Sequence, residues 1–426
     1  MQGAYADEAG RRLLSTLDAV FEALDHDGVE WCVLRGQEDL GAGDDVDLLV
    51  NRSDLPRLRR TVARLGFAPI PAWGFGSHAF FLNYDSSSDA WLKLDVVTEM
   101  AFGPGYSLLS RAENECLERR RRHDGVAVLD DDDAFWALLL HRLLDKRAVP
   151  PRNVTRLQEL ADRANADGPI ARVLDGICPP PWSTARLLSA VQRGEWESLL
   201  AFGPLLETHW RRREGALVGR RRVANAAWRQ AGRFLRLRYR LGLGVAVLAP
   251  DGAGKSTLVT GLAETFFLPV RTLYMGPYRR TLPWLPPGLS LVSRIGGLWA
   301  DWLRGTVHRV RGRLVVFDRY PYDSLLPSRH RPGRLDRVRR GLLGRACPAP
   351  NLTILLDAPG EILYARKGEQ NPDVLEAERQ AYRSLVPRLR DVVLIDATLS
   401  ADDVRRKAIA VVWNAYARRW NRWRAS

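Results

Sequence analysis

The chain has 426 residues, 46% of them hydrophobic and 27% charged, with a formal net charge of +14. That length favours two or three domains over one, and that apolar content excludes wholesale disorder. Four cysteines, Cys32, Cys116, Cys178 and Cys347, lie far apart without a CxxC pair, which argues against a zinc ribbon or a disulfide framework and for a reducing cytoplasm.

The N-terminus MQGAYADEAGRR lacks a basic stretch followed by an apolar core, so no signal peptide is expected. No run of about 18 apolar residues is present to span a membrane. Residues 8–25 carry Leu13, Leu14, Leu17, Val20, Phe21 and Leu24 at helical spacing. EWCVLRG (30–36) and DVDLLV (45–50) read as strands joined by a Gly/Asp-rich turn, and RSDLPRLRRTVARLGF (52–67) as a helix. HAFFLNYD (78–85) and AWLKLDVVTE (90–99) read as a hairpin around an SSSD turn. Residues 1–104 are thus expected to form a small α+β unit.

Residues 105–240 read as mostly helical. In DDDDAFWALLLHRLLDK (130–146) acids open a helix and basic residues close it, so helix initiation explains the four aspartates better than a metal does. The charge is local: residues 211–240 hold eleven arginines against one acid, Glu214, which is +10 of the +14. From residue 244 short apolar strands alternate with stretches long enough for crossover helices: GVAVLA (244–249), RTLYM (271–275), RLVVFD (313–318), LTILLD (352–357) and VVLID (392–396). Such strands suit a parallel sheet covered on both faces. The last part, 241–426, is therefore expected to be an α/β domain.

VAVLAPDGAGKST (245–257) is the most informative stretch. A strand runs into Gly252-Ala253-Gly254 and then into Lys255-Ser256-Thr257 at the start of a helix. The glycines let the backbone wrap a phosphate, and the helix N-terminus adds the positive end of its dipole. Lys255 is placed to reach the β- and γ-phosphates of ATP, and Ser256 to put its hydroxyl on Mg²⁺. Ala249 stands where the GxxxxGK[ST] pattern begins with glycine.

PDGAGKST resembles the loop of thymidylate kinases, a family of P-loop NTPase fold. The resemblance implies that Asp251 contacts the acceptor. RLVVFDRY (313–320) is similar to the family's strand ending in Asp-Arg-Tyr. Asp318 then holds Mg²⁺ or orients the attacking oxygen at the carboxyl edge of the sheet, and Arg319 clamps an acceptor phosphate. NLTILLDAPGEILYARKGEQ (351–370) resembles the family's fourth strand and the helix leading to its lid, which makes Arg366 and Lys367 cations that neutralise the transferring phosphoryl group. The resemblance covers roughly 243–415. It lacks the family's TREPGGT-like segment; RTLYMGPYRRTLPWLPP (271–287) stands there, with Tyr278, Arg279 and Arg280 as candidates for a different acceptor pocket.

EWCVLRGQEDLGAGDDVDLLV (30–50) followed by WLKLDVV (91–97) resembles a nucleotidyltransferase fold, with Gly36, the Asp45–Asp47 pair and Asp95 in the family's order but Gln37 where serine is usual. Carboxylates at i and i+2 share a strand face, and a cluster of three calls for a divalent metal.

Arg/Trp-rich segments recur at 205–240, 284–310 and 418–426. They read as a packed connector, a peripheral contact with an anionic membrane or, as the least expected partner, a nucleic-acid surface. The expected activity is Mg-ATP-dependent phosphorylation of a small acceptor, a nucleoside monophosphate or sugar-type metabolite, in the cytoplasm. Nucleotidyl transfer at the N-terminal aspartates and an ATP-gated binding protein are the alternatives.

Overall fold

A computed structural model of the protein describes residues 2–34, 45–239, 242–276, 287–327, 333–368 and 370–425. Its backbone divides into two compact units, Met1–Arg233 and Phe234–Ser426.

In the first unit, α1 (Gln2–His26) buries Leu17, Val20, Phe21 and Leu24, one stripe at helical spacing. The strands β1 (Trp31–Val33) and β2 (Val46–Val50) are buried at every position. Asn51 accepts a hydrogen bond from Ser53 N and opens a 3₁₀ turn into α2 (Leu55–Arg64), whose Leu58 and Val62 face the core. Next come β3 (Ala68–Ile70), the hairpin β4 (Ala79–Asp85) and β5 (Ala90–Val97), and the short pair β6 (Ala101–Phe102) and β7 (Leu108–Leu109).

After α3 (Glu113–Arg119) the chain makes a second hairpin, β8 (Arg121–His123) and β9 (Val126–Val128), in the stretch expected to be mostly helical. Both strands join the first sheet, so it continues beyond residue 104. The seven strands lie in the order β3-β4-β5-β2-β1-β9-β8, with β2–β5 and β1–β9 parallel and the other neighbours antiparallel.

Helices α4 (Asp131–Leu140), α5 (Pro151–Ala161), α6 (Pro169–Asp175), α7 (Thr184–Gln192) and α8 (Trp196–Arg213) extend the same hydrophobic core. The four aspartates do initiate a helix. The Asp130 side chain caps α4 by accepting from Asp132 N (3.2 Å), and Arg119 pairs with Asp130 and Asp132. The helix then widens into a π segment, His141–Lys146. The basic helix is α9 (Gly215–Tyr239).

The second unit is an α/β fold with a five-stranded, fully parallel sheet: β10 (Leu243–Leu248), β11 (Val270–Tyr274), β12 (Leu314–Asp318), β13 (Leu352–Asp357) and β14 (Val392–Asp396), in the order β11-β12-β10-β13-β14. The central β10 is buried at all six positions, as a parallel strand covered on both faces must be. The helices are α10 (Lys255–Thr265), α11 (Pro287–Val310), α12 (Arg334–Gly344), α13 (Gly360–Lys367), α14 (Pro372–Leu385) and α15 (Ala401–Ala425). α10 packs with α15, and α11 with α12. The crossover from β10 runs toward one edge of the sheet, to β11, and the crossover from its neighbour β12 runs the other way, to β13. That makes the carboxyl ends of β10 and β12 a topological switch point, the place where open α/β sheets bind ligands.

Candidate active site

β10 ends at Leu248, and the turn 249–254 connects it directly to α10. Gly252 and Gly254 both hold left-handed backbone, at φ +86° and +84°, and Gly254 is the N-cap of α10. A Cβ on Gly252 would stand 2.8 Å from the Leu363 carbonyl oxygen of α13, whereas one on Gly254 would meet nothing within 4 Å. The first glycine is therefore demanded by both conformation and packing, the second by conformation alone. Ala249 does not need to be glycine: it is buried and absent from the residues with positive φ. Ala253 is buried, while the side chains of Ser256 and Thr257 are exposed at the mouth of the turn.

Two neighbouring strands deliver charge to the same end of the sheet. Asp318 closes β12 beside Val247 of β10 and Tyr274 of β11. Its Oδ1 lies 3.6 Å from Lys255 Nζ, and among the described residues this buried oxygen has no hydrogen-bond partner. Burial, with Arg319 nearby, lowers the Lys255 pKa from its ordinary value, and Asp318, Asp323 and Asp251 oppose that shift.

Arg319 sits at φ +67°, in the left-handed region that costs a non-glycine residue about 1 kcal/mol or more. The strained backbone aims its guanidinium between two carboxylates: NH2 is 3.3 Å from Asp251 Oδ1 and NH1 is 3.5 Å from Asp323 Oδ2. Asp251 also accepts from Gln370 Nε2 (3.4 Å), and Asp323 from the Tyr382 hydroxyl (3.2 Å). Burial pushes the Asp323 carboxyl up to about 6, against the pull of Arg319 and Lys255.

The structure thus brings together Asp251, Gly252, Ala253, Gly254, Lys255, Asp318 and Arg319. Arg366 is turned elsewhere: it is exposed, and its NH1 donates to the Ala397 carbonyl (2.7 Å) just beyond β14. Tyr278, Arg279 and Arg280 lie outside the described residues.

Sequence inspection missed Asp323 and Tyr382, which complete the Arg319 environment. It also missed the Asp357 end of β13, which Arg379 grips at both oxygens (2.7 and 3.1 Å) with Arg383 at 3.1 Å. Asp357 had a visible signal, since it ends an apolar strand just as Asp318 does. Asp323 stands four residues after Arg319, its ion-pair partner, a weak local signal, while its other partner, Tyr382, is 59 positions away.

In the first unit, Asp45, Asp47 and Asp95 all line one cavity of about 1110 Å³. Asp47 and Asp95 face each other across the parallel β2–β5 register. Each outer carboxylate has a cationic or imidazole neighbour: Asp45 pairs with Lys93, and Asp95 Oδ1 is 2.7 Å from His78 Nδ1. Among the described residues no three His, Cys, Asp or Glu side chains are grouped so as to hold a metal. Gly36 and Gln37 lie outside the described residues. His141, Arg142 and Asp145 of the π segment line the same cavity, a position where such bulges often serve function.

The basic helix α9 is tied down along one side: Arg221 pairs with Glu99, and Asn225 donates to Gly105 O (2.8 Å). Trp228 and Phe234 stay more than half exposed. Trp413 and Trp420 of α15 are buried, so core packing accounts for them. Among the described residues no helix is long and apolar enough to cross a membrane. A scan of the chain against protein-family models finds no match, and no curated protein matches it.

Proposed function

We propose that the second unit is a P-loop kinase of thymidylate kinase type, which transfers the γ-phosphoryl group of ATP to a small acceptor. The observation that carries this is the turn after β10. Two left-handed glycines open α10, and Lys255 follows them with its ammonium beside Asp318. Amides of such a turn converge on an anion, and the helix dipole reinforces them.

In this reaction the protein mostly positions groups and neutralises charge. Lys255 supplies a cation to the β- and γ-phosphates. Its lowered pKa fits an ammonium held out of water in wait for anionic partners. Ser256 and Asp318 would hold Mg²⁺, and the buried, hydrogen-bond-free Oδ1 of Asp318 fits a ligand to the metal or its water. Bound there, the ion would offset charge on the phosphate oxygens. Arg319, fixed between Asp251 and Asp323, presents a planar fork suited to an acceptor phosphate or hydroxyl. Arg366, engaged with Ala397 O, serves the phosphoryl group only if that contact breaks.

The acceptor is a nucleoside monophosphate or a sugar-type metabolite. A screen with γ-labelled ATP, including thymidine monophosphate, tests this: the wild-type chain should label one acceptor class and Lys255→Ala none. Equal labelling by both proteins would refute the assignment.

A second activity in the first unit is favoured by the one cavity that Asp45, Asp47 and Asp95 all line. If nucleotidyl transfer occurs there, Asp45→Asn with Asp47→Asn stops pyrophosphate release and spares ADP formation. Pyrophosphate release unchanged by that pair of substitutions rejects it.

A further inference from the structure

Several arginines of the second unit have acidic partners: Arg379 and Arg383 pair with Asp357, Arg304 with Asp301, Arg405 with Asp402 and Arg406 with Asp403. Five others line a separate cavity of about 560 Å³: Arg337, Arg340, Arg345, Arg388 and Arg390. No aspartate or glutamate is among the described residues that line it. Among the described residues, the side chains of Arg337, Arg388 and Arg390 make no ion pair or hydrogen bond. Arg340 is spent on structure, since it donates to the carbonyls of Ser324 and Leu326 and fixes the wall.

The cavity is not the site described above. Ala349 lies just before β13, and Leu389 and Arg390 just before β14, so these lining residues stand at the amino ends of the parallel strands. The glycine turn stands at the carboxyl end of β10. The remaining wall comes from α12 and the 3₁₀ turn Pro321–Leu325, whose Tyr322 is mostly buried in the core.

Like charges crowded into a concavity repel one another and concentrate anions. The planar guanidinium fork binds two oxygens of one oxyanion at once, which suits phosphate groups. The volume lies within the range of small-molecule sites. From the uncompensated arginines and this volume we infer a second binding site, one that takes a pyrophosphate group, either free or carried on a small organic molecule. Arg337, Arg388 and Arg390 clasp the phosphates, and Leu389 meets the carrier. The site stands or falls independently of phosphotransfer at Lys255.

The test uses the full chain carrying Lys255→Ala, titrated by calorimetry with inorganic pyrophosphate and, separately, with ADP and adenosine. Pyrophosphate should bind, more weakly as salt rises, and adenosine should not. ADP tighter than pyrophosphate would identify an organic carrier; equal affinity would identify the free anion as sufficient. Adding Arg337→Ser, Arg388→Ser and Arg390→Ser should weaken pyrophosphate binding by about tenfold or more, with the melting temperature kept, because all three side chains are exposed. The same three substitutions in the Lys255 background should leave ATP turnover at the wild-type rate. Pyrophosphate binding that is absent, or indifferent to the three substitutions, overturns the inference. So does a site that prefers a single-stranded oligonucleotide to pyrophosphate.

Discussion

Alanine at the two glycines of the loop should have unequal effects, and the structure sets the order. Gly254 is at φ +84° with nothing within 4 Å of a Cβ, so Gly254→Ala meets only the left-handed penalty, about 1–2 kcal/mol. If the loop escapes that strain by leaving its binding shape, nucleotide affinity falls about 5- to 30-fold. Gly252 has the same backbone penalty at φ +86°, and its new methyl would sit 2.8 Å from Leu363 O. That oxygen belongs to the α13 backbone and cannot swing aside as a side chain would. Overpacking of this kind adds about 1–3 kcal/mol, for a total of about 2–5 kcal/mol. Gly252→Ala should therefore lose about thirtyfold or more in Mg-ATP affinity, and part of the cost should appear as a lower melting temperature. Calorimetric titration with Mg-ATP and thermal melts on the same samples read both quantities. A Gly252→Ala protein that binds as well as Gly254→Ala, or better, would refute the reasoning.

Two further predictions concern the charges around the site. Burial raises the Asp323 carboxyl from 3.8 to about 6 in the folded chain. The folded state then holds a proton that the unfolded state releases, so this group favours folding below about pH 4, and its contribution is lost as pH rises to about 6, a cost of about 3 kcal/mol. In Asp323→Asn, urea unfolding at about pH 4 and about pH 7 should differ by up to that much less than in the wild type; an unchanged difference would assign the proton elsewhere. Arg379→Ala strips Asp357 of its two-point partner and leaves only Arg383, so the chain should lose about 1–3 kcal/mol in urea unfolding, and a loss near zero would mean that solvent replaces the pair.

The parts legible in the sequence were those that rest on local pattern. β10, β12 and β13 are continuous apolar runs, and their bounds agree with the expected strands to within a residue. The glycine turn carries its conformation in its composition. The shared face of Asp45, Asp47, Lys93 and Asp95 follows from i, i+2 spacing on two paired strands, and Lys93 could have been read the same way as its acidic neighbours. β8 was hidden because Arg121, Arg122 and His123 are all exposed: an edge strand protected by charge shows no apolar alternation. Tyr382 and Arg379 gain their roles from contacts across the second unit, 59 and 22 positions away, which local spacing does not reveal. Arg366 looks like a lid cation in sequence, yet the end of β14 offers it a carbonyl.

Equilibrium binding of Mg-ATP to the folded full-length chain, compared with Lys255→Ala, bears most directly on the central claim. If the turn at 252–254 cradles a nucleotide's phosphates, the wild type binds Mg-ATP well above adenosine, and removing the ammonium beside Asp318 weakens binding by about a hundredfold while the melting temperature holds. Mg-ATP bound equally by both proteins, or by neither, would contradict it.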